Sequence, residues 1–135
     1  MPKLADWEDR LTHLITEVRK VTFAWGKLDC CMWASACVEA QTGVDLGAGV
    51  RGTYSTESGA RRVLRKLGGL EALGAKVGPA VPPLMARFGD IGLVFSNGKK
   101  VAALCAGPVW LIVTSQGMLN VPLDAAINCW RTGDA

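Results

Sequence analysis

Among the side chains able to do chemistry, the thiols stand out: Cys30, Cys31, Cys37, Cys105 and Cys129 are set against a single histidine, His13. Cys30 and Cys31 follow Asp29 at the head of the apolar run CCMWASACVEAQTG. An aspartate in front of such a run reads as a helix N-cap, because its carboxylate accepts from the unpaired amides of the first turn. A thiol in that turn feels the positive end of the helix dipole, which favours thiolate over thiol, so Cys30 is the candidate nucleophile. An imidazole would normally complete the site, taking the thiol proton and returning it to a leaving group.

A free cysteine is also among the most often buried residue types, and Cys31, Cys37, Cys105 and Cys129 each sit in an apolar pattern that assigns them to packing. Their odd count, adjacent members and lack of secretory context argue for free thiols over a disulfide framework. There is no Cys-x-x-Cys pair, and one histidine cannot complete a zinc set. No glycine-rich phosphate loop precedes a helix, so no metal, nucleotide or redox cofactor is expected.

The elements that must hold Cys30 in place follow from periodicity. Leu4, Trp7, Leu11, Leu14, Ile15 and Val18 share one stripe of a helix from Leu4 to Val18, and His13 falls on the opposite, solvent side. The helix that opens at Asp29 puts Cys30, Trp33, Ala34 and Cys37 on one face and stops at Gly43. A glycine-rich stretch from Val44 to Gly59 reads as a long ordered loop leading into a third helix from about Thr56 to Leu67. A short helix over Leu70 to Lys76 follows, and GPAVPPL then breaks regular structure. After Gly89 the texture changes to the runs IGLVFS, VAALCA, VWLIVTS and MLNVPL, separated by turn residues, which predicts an antiparallel meander. Helices first and strands second make an α+β domain.

At 135 residues, half of them apolar, the chain is expected to form one domain, 1–135. Fifteen basic residues against twelve acidic ones give a formal charge of +3, too weak a bias to imply a specific nucleic-acid partner. The charged N-terminus lacks the apolar core of a secretory leader, and no apolar run approaches the roughly 20 residues of a membrane span, so a soluble chain is expected.

The string Phe23-Ala24-Trp25-Gly26-Lys27-Leu28-Asp29-Cys30 resembles the aromatic-x-Trp-Gly…Asp-Cys signature of NlpC/P60 cysteine peptidases. Further on, Gly89-Asp90-Ile91 is similar to the Gly-Asp strand entry of that family, Val101 to Gly107 to its histidine strand, and Leu119 to Trp130 to its closing strand. The whole chain also resembles a family of phage and prophage tail-associated proteins that share the Trp-Gly-x-x-Asp-Cys helix and an Arg-Gly-x-Tyr loop, here Arg51 to Tyr54. The resemblance implies a papain-like fold, with N-terminal helices packed on a C-terminal antiparallel sheet or small barrel. It also implies residence in the virion tail, host cytoplasm during assembly, other tail proteins as partners, and peptidoglycan as a surface within reach.

Aligned through Gly107, the catalytic histidine of the family falls on Val101 and its third polar residue near Ile112, both apolar, while Phe23 stands where a tyrosine is expected. Lys99 and Lys100 are poor bases, since an unperturbed lysine is protonated at neutral pH. The expectation is therefore a non-catalytic tail component, structural or for assembly, that keeps Cys30 and its supports Trp25, Gly26 and Asp29. A cysteine hydrolase acting on peptidoglycan through Cys30 is the alternative. Candidate contact residues are Arg51 and Tyr54 in the long loop and the basic face Arg61, Arg62, Arg65 and Lys66, one helical turn apart in pairs.

Overall fold

A computed structural model of the chain describes residues 1–133. Four helices pack against a five-stranded antiparallel sheet, an α+β architecture.

Helix α1 spans Trp7–Val18 and buries Leu11 and Val18, while His13 faces solvent. It begins three residues later than its apolar stripe, because the Leu4 amide instead donates to the Gln41 carbonyl at 2.7 Å, tying the N-terminal segment to the end of the next helix. Helix α2, Cys30–Thr42, is capped by Asp29, whose Oδ1 accepts from the Met32 amide, and it ends at Gly43 in the left-handed region. It lies between α1 and the sheet, burying Trp33, Cys37 and Val38, and the Trp33 indole donates to the Leu111 carbonyl at 3.0 Å.

Helix α3, Glu57–Lys66, starts where the Thr56 hydroxyl accepts from the Gly59 amide and carries Arg65 and Lys66 at its negative end. None of its residues is buried, although Ala60, Val63 and Leu64 form an apolar stripe. Helix α4, Leu70–Ala75, rests on the Trp130 indole through Gly74, where any β-carbon would overlap the ring.

The strands are β1 (Ile91–Ser96), β2 (Lys99–Cys105), β3 (Val109–Thr114), β4 (Gly117–Pro122) and β5 (Ala126–Trp130). Asn97-Gly98, both at positive φ, turns β1 into β2, as their type and the hairpin geometry require. The first four strands form the expected meander, and β5 returns to pair with β1, giving the order β4-β3-β2-β1-β5. Strands β2 and β3 pair only at Leu104↔Leu111 and Cys105↔Trp110 and diverge beyond, and the start of α2 packs against that opening. Alternation splits the sheet into two faces. Leu93, Ala102, Leu104, Leu111 and Val113 face the helices, and Val94, Ala103, Cys105, Trp110, Ile112 and Cys129 form a second cluster beneath.

A polar knot secures the edge of this structure. Asp90, 1% exposed, accepts from the Arg131 guanidinium and from the Arg87 amide, while the Gly89 carbonyl accepts from the Gln41 amide at 2.9 Å and the Thr132 hydroxyl at 2.6 Å. The Cys129 thiol points at the same carboxylate and is pushed up to about 12, chiefly by burial and then by the Asp90 charge. Among the described residues, no helix is long and apolar enough to cross a membrane.

Candidate functional site

The turn before α2 is built around Gly26. Ala24 and Leu28 exchange backbone hydrogen bonds, and Gly26 sits at φ +81° with its amide donating to Asp29 Oδ2 at 2.9 Å. A β-carbon at Gly26 would overlap the Tyr54 carbonyl oxygen, so only glycine allows the two loops to approach. The Gly52 amide donates to the Gly26 carbonyl at 2.9 Å, and the Tyr54 phenol donates to Asp29 Oδ2 at 2.6 Å. The Trp-Gly…Asp-Cys string and the Arg-Gly-x-Tyr loop are thus one hydrogen-bonded unit. Arg51 locks the far end of the loop through two bonds to Asp45, whose carboxyl its guanidinium holds below the usual range. Arg51 and Tyr54, read from sequence as contact residues, spend their polar groups inside the chain.

Cys30 is half-buried above this cap. The Cys31 thiol donates to it, which is the largest influence lowering its pKa; burial opposes, and the Ala102 backbone amide adds to the lowering. The Cys31 thiol is correspondingly raised, first by the bond to Cys30 and then by burial. Burial pushes the Cys37 and Cys105 thiols up as well, in keeping with packing roles.

The sheet corrects the residue that faces Cys30. Ala102 belongs to the helix-side cluster and aims its amide at the thiol, whereas the Val101 side chain packs with the cluster on the other face. Ile112 likewise points away, and its helix-side neighbours are Leu111 and Val113. A one-residue shift along a strand exchanges faces, so Val101 and Ala102 belong to clusters on opposite faces of the sheet. The position opposite Cys30 is apolar in either register.

Among the described residues, no side chain lining the space around Cys30 is an imidazole, and His13 is on the exposed side of α1. Both Asp29 oxygens are occupied, Oδ1 by the Met32 amide and Oδ2 by the Gly26 amide and the Tyr54 phenol. Burial and the Asp29 carboxylate raise the Tyr54 phenol, which therefore stays protonated. Lys99 and Lys100 are engaged by Glu57 at 2.8 Å and Glu71 at 2.6 Å. Phe23 and Trp25 pack edge to face, with ring centres 4.9 Å apart, at one end of the site. Arg61 pairs with Glu57, while Arg62, Arg65 and Lys66 stay on the exposed outer face of α3. Among the described residues, no group of three or more His, Cys, Asp or Glu is arranged to hold a metal ion.

Cys30 opens into a cleft-like cavity of about 810 Å³ bounded by α2, α3, α4 and the helix-side face of the sheet and open to solvent on one side. That volume is in the range of small-molecule sites, about 300–1,000 Å³. Its lining is mostly apolar. The apolar stripe of α3 forms the roof and Leu93, Ala102 and Val113 part of the floor, an enclosure that no sequence pattern announced.

Residues 2–132 match the model of a family described as a domain of unknown function, DUF6950. No curated protein matches the chain.

Proposed function

Starting from the premise that the chain belongs to the DUF6950 family, we propose that it is a non-catalytic component of a phage or prophage tail, structural or for assembly, on a degenerate NlpC/P60-like, papain-like domain. The sequence resemblance supplies the tail context. One observation supports the loss of catalysis: the Asp29 carboxylate and the Tyr54 phenol beside Cys30 are engaged in holding the start of α2. Asp29 is saturated by two amides and a phenol, and among the described residues no imidazole lines the space around Cys30. A missing general base typically costs a factor of about 10² to 10⁴, and a fold is readily kept for binding after such a loss.

The test is the composition of tail particles purified from a host that encodes the chain. We expect the protein in fixed stoichiometry with other tail proteins, and normal particles when Cys30→Ala replaces it. Absence from the particles, together with normal assembly after deletion of its gene, would sink this reading.

A second reading is favoured by the lowered Cys30 thiol at a helix start: a cysteine hydrolase acting on peptidoglycan peptides, with its base supplied by another chain. Release of peptide fragments from purified cell wall by wild-type protein with its tail partners, abolished by Cys30→Ala, would establish it. Equal release by both proteins would exclude it.

A further inference from the structure

The roof of the cavity is an amphipathic helix whose apolar stripe has little beneath it. Ala60, Val63 and Leu64 of α3 line the cavity, yet no residue of the helix is buried. Protein interiors are close-packed, so a space of about 810 Å³ under an apolar helix is the shape of a site and not of a core.

The chemistry of the walls narrows the occupant. Among the described residues, the one fully buried side-chain nitrogen or oxygen without a partner is Gln41 Oε1, which lies outside the cavity, and the few neutral polar side chains of the lining, Ser35, Ser96, Asn97, Thr114 and Ser115, stand among a larger number of apolar ones. Ionic side chains gather at the exposed rim instead. Arg61, Lys76, Lys99 and Lys100 are among the lining residues, with Glu57 lining as well and Glu71 beside Lys100. Cations outnumber carboxylates there, and the ion pairs that occupy them are exposed, hence weak and exchangeable for another anion. The covering helix has ten residues, about 15 Å at 1.5 Å per residue, a length that a medium alkyl chain spans.

We propose that the cavity beneath α3 and α4 binds a single alkyl chain bearing an anionic head group, the chain against the apolar stripe of α3 and the head at the Lys99 and Lys100 rim. The helix α3 then acts as a lid. The Lys99–Glu57 and Lys100–Glu71 pairs hold lid and sheet together when the site is empty, and the anionic head takes over the lysines when it is filled. Cys30, on the cavity wall, is shielded by the chain. This site does not depend on the tail reading and would stand with an enzymatic one.

The experiment titrates the full chain with laurate, dodecyl phosphate and uncharged dodecanol, reading heat of binding and the rate of Cys30 alkylation by iodoacetamide. We expect laurate or dodecyl phosphate, or both, to saturate one site per chain and slow Cys30 alkylation about tenfold, with dodecanol binding at least about tenfold more weakly. Preference for laurate identifies a free fatty acid, and preference for dodecyl phosphate a phospholipid-type head. The double charge reversal Lys99→Glu with Lys100→Glu, both exposed positions, also loosens the lid, so it should weaken all three ligands but the anionic ones at least about tenfold more than dodecanol. Leu64→Trp, which fills the cavity, should abolish binding; if that variant does not fold, the charge reversal alone decides. No saturable binding by any of the three, or dodecanol as tight as the anions, would overturn the proposal.

Discussion

The Tyr54 phenol donates a 2.6 Å hydrogen bond to Asp29 Oδ2, so a loop residue 25 positions downstream fixes the carboxylate that starts the cysteine helix. Hydrogen bonds to ionised groups are worth about 1.5–3 kcal/mol. Tyr54→Phe keeps the ring and removes the donor, and should lower unfolding free energy by about 2 kcal/mol in urea denaturation. Arg51→Ala, which breaks an exposed pair with Asp45, should cost no more than about 1 kcal/mol in the same assay. A larger loss at Arg51 than at Tyr54 would contradict the assignment of roles.

The thiol pair carries its own prediction. Cys30 is lowered first of all by its bond from Cys31, so its alkylation should remain fast at pH values below the ordinary cysteine range of about 8.5. Cys31→Ala removes that donor and should move the midpoint of the rate-pH curve upward. Mass spectrometry after digestion resolves the sites, and an unchanged midpoint in the variant would assign the lowering to the Ala102 amide and the helix dipole instead.

Acid should loosen the lid. Glu57 and Glu71 are held below the ordinary glutamate value by Lys99 and Lys100, so the folded state binds protons less readily than the unfolded one at these sites. Their contribution is fully present above about pH 4.3 and is lost as pH falls through the depressed folded values. Salt acts in the same direction by screening exposed pairs. Amide exchange in residues 57–66 should rise in 1 M salt and in Lys99→Ala, with the urea midpoint almost unchanged. Exchange that is unaffected by salt would mean that apolar contact alone holds the helix.

The Asp90 knot behaves oppositely, because it is buried. Arg131→Ala leaves a carboxylate that is 1% exposed without its guanidinium and should destabilise the chain by about 3 kcal/mol. Asp90→Asn with Arg131→Met, which removes both charges, should recover most of that loss in denaturant titration.

Much of the scaffold was legible in the sequence because local signals and packing agree. Asp29 and Gly43 bound α2, Thr56 caps α3, and Asn97-Gly98 marks the first hairpin, each by a side-chain or backbone property that acts within a few residues. Strand β5 was read only as part of a closing stretch, since Ala-Ile-Asn-Cys-Trp alternates poorly and follows a 3-10 turn at Leu123–Ala125 with no glycine signal. The residue opposite Cys30 depends on a register that one inserted position reverses, so Ala102 could not be told from Val101. The stripe of α3 reads the same whether it covers a packed core or an empty one. Nor could the Tyr54 bond to Asp29 be inferred, because it joins two segments that only the fold brings together.

The return of β5 to the edge of β1 also sets an order of events during synthesis. Strand β1 pairs with β2 as soon as the first hairpin is made, but its other edge finds a partner only when residues 126–130 are available. Until they leave the ribosome, a nascent chain presents an unsatisfied row of amides and carbonyls, a template for pairing with another copy. The last strand is therefore the step at which productive folding and aggregation compete, and cells making this protein quickly should need chaperone help most at that moment.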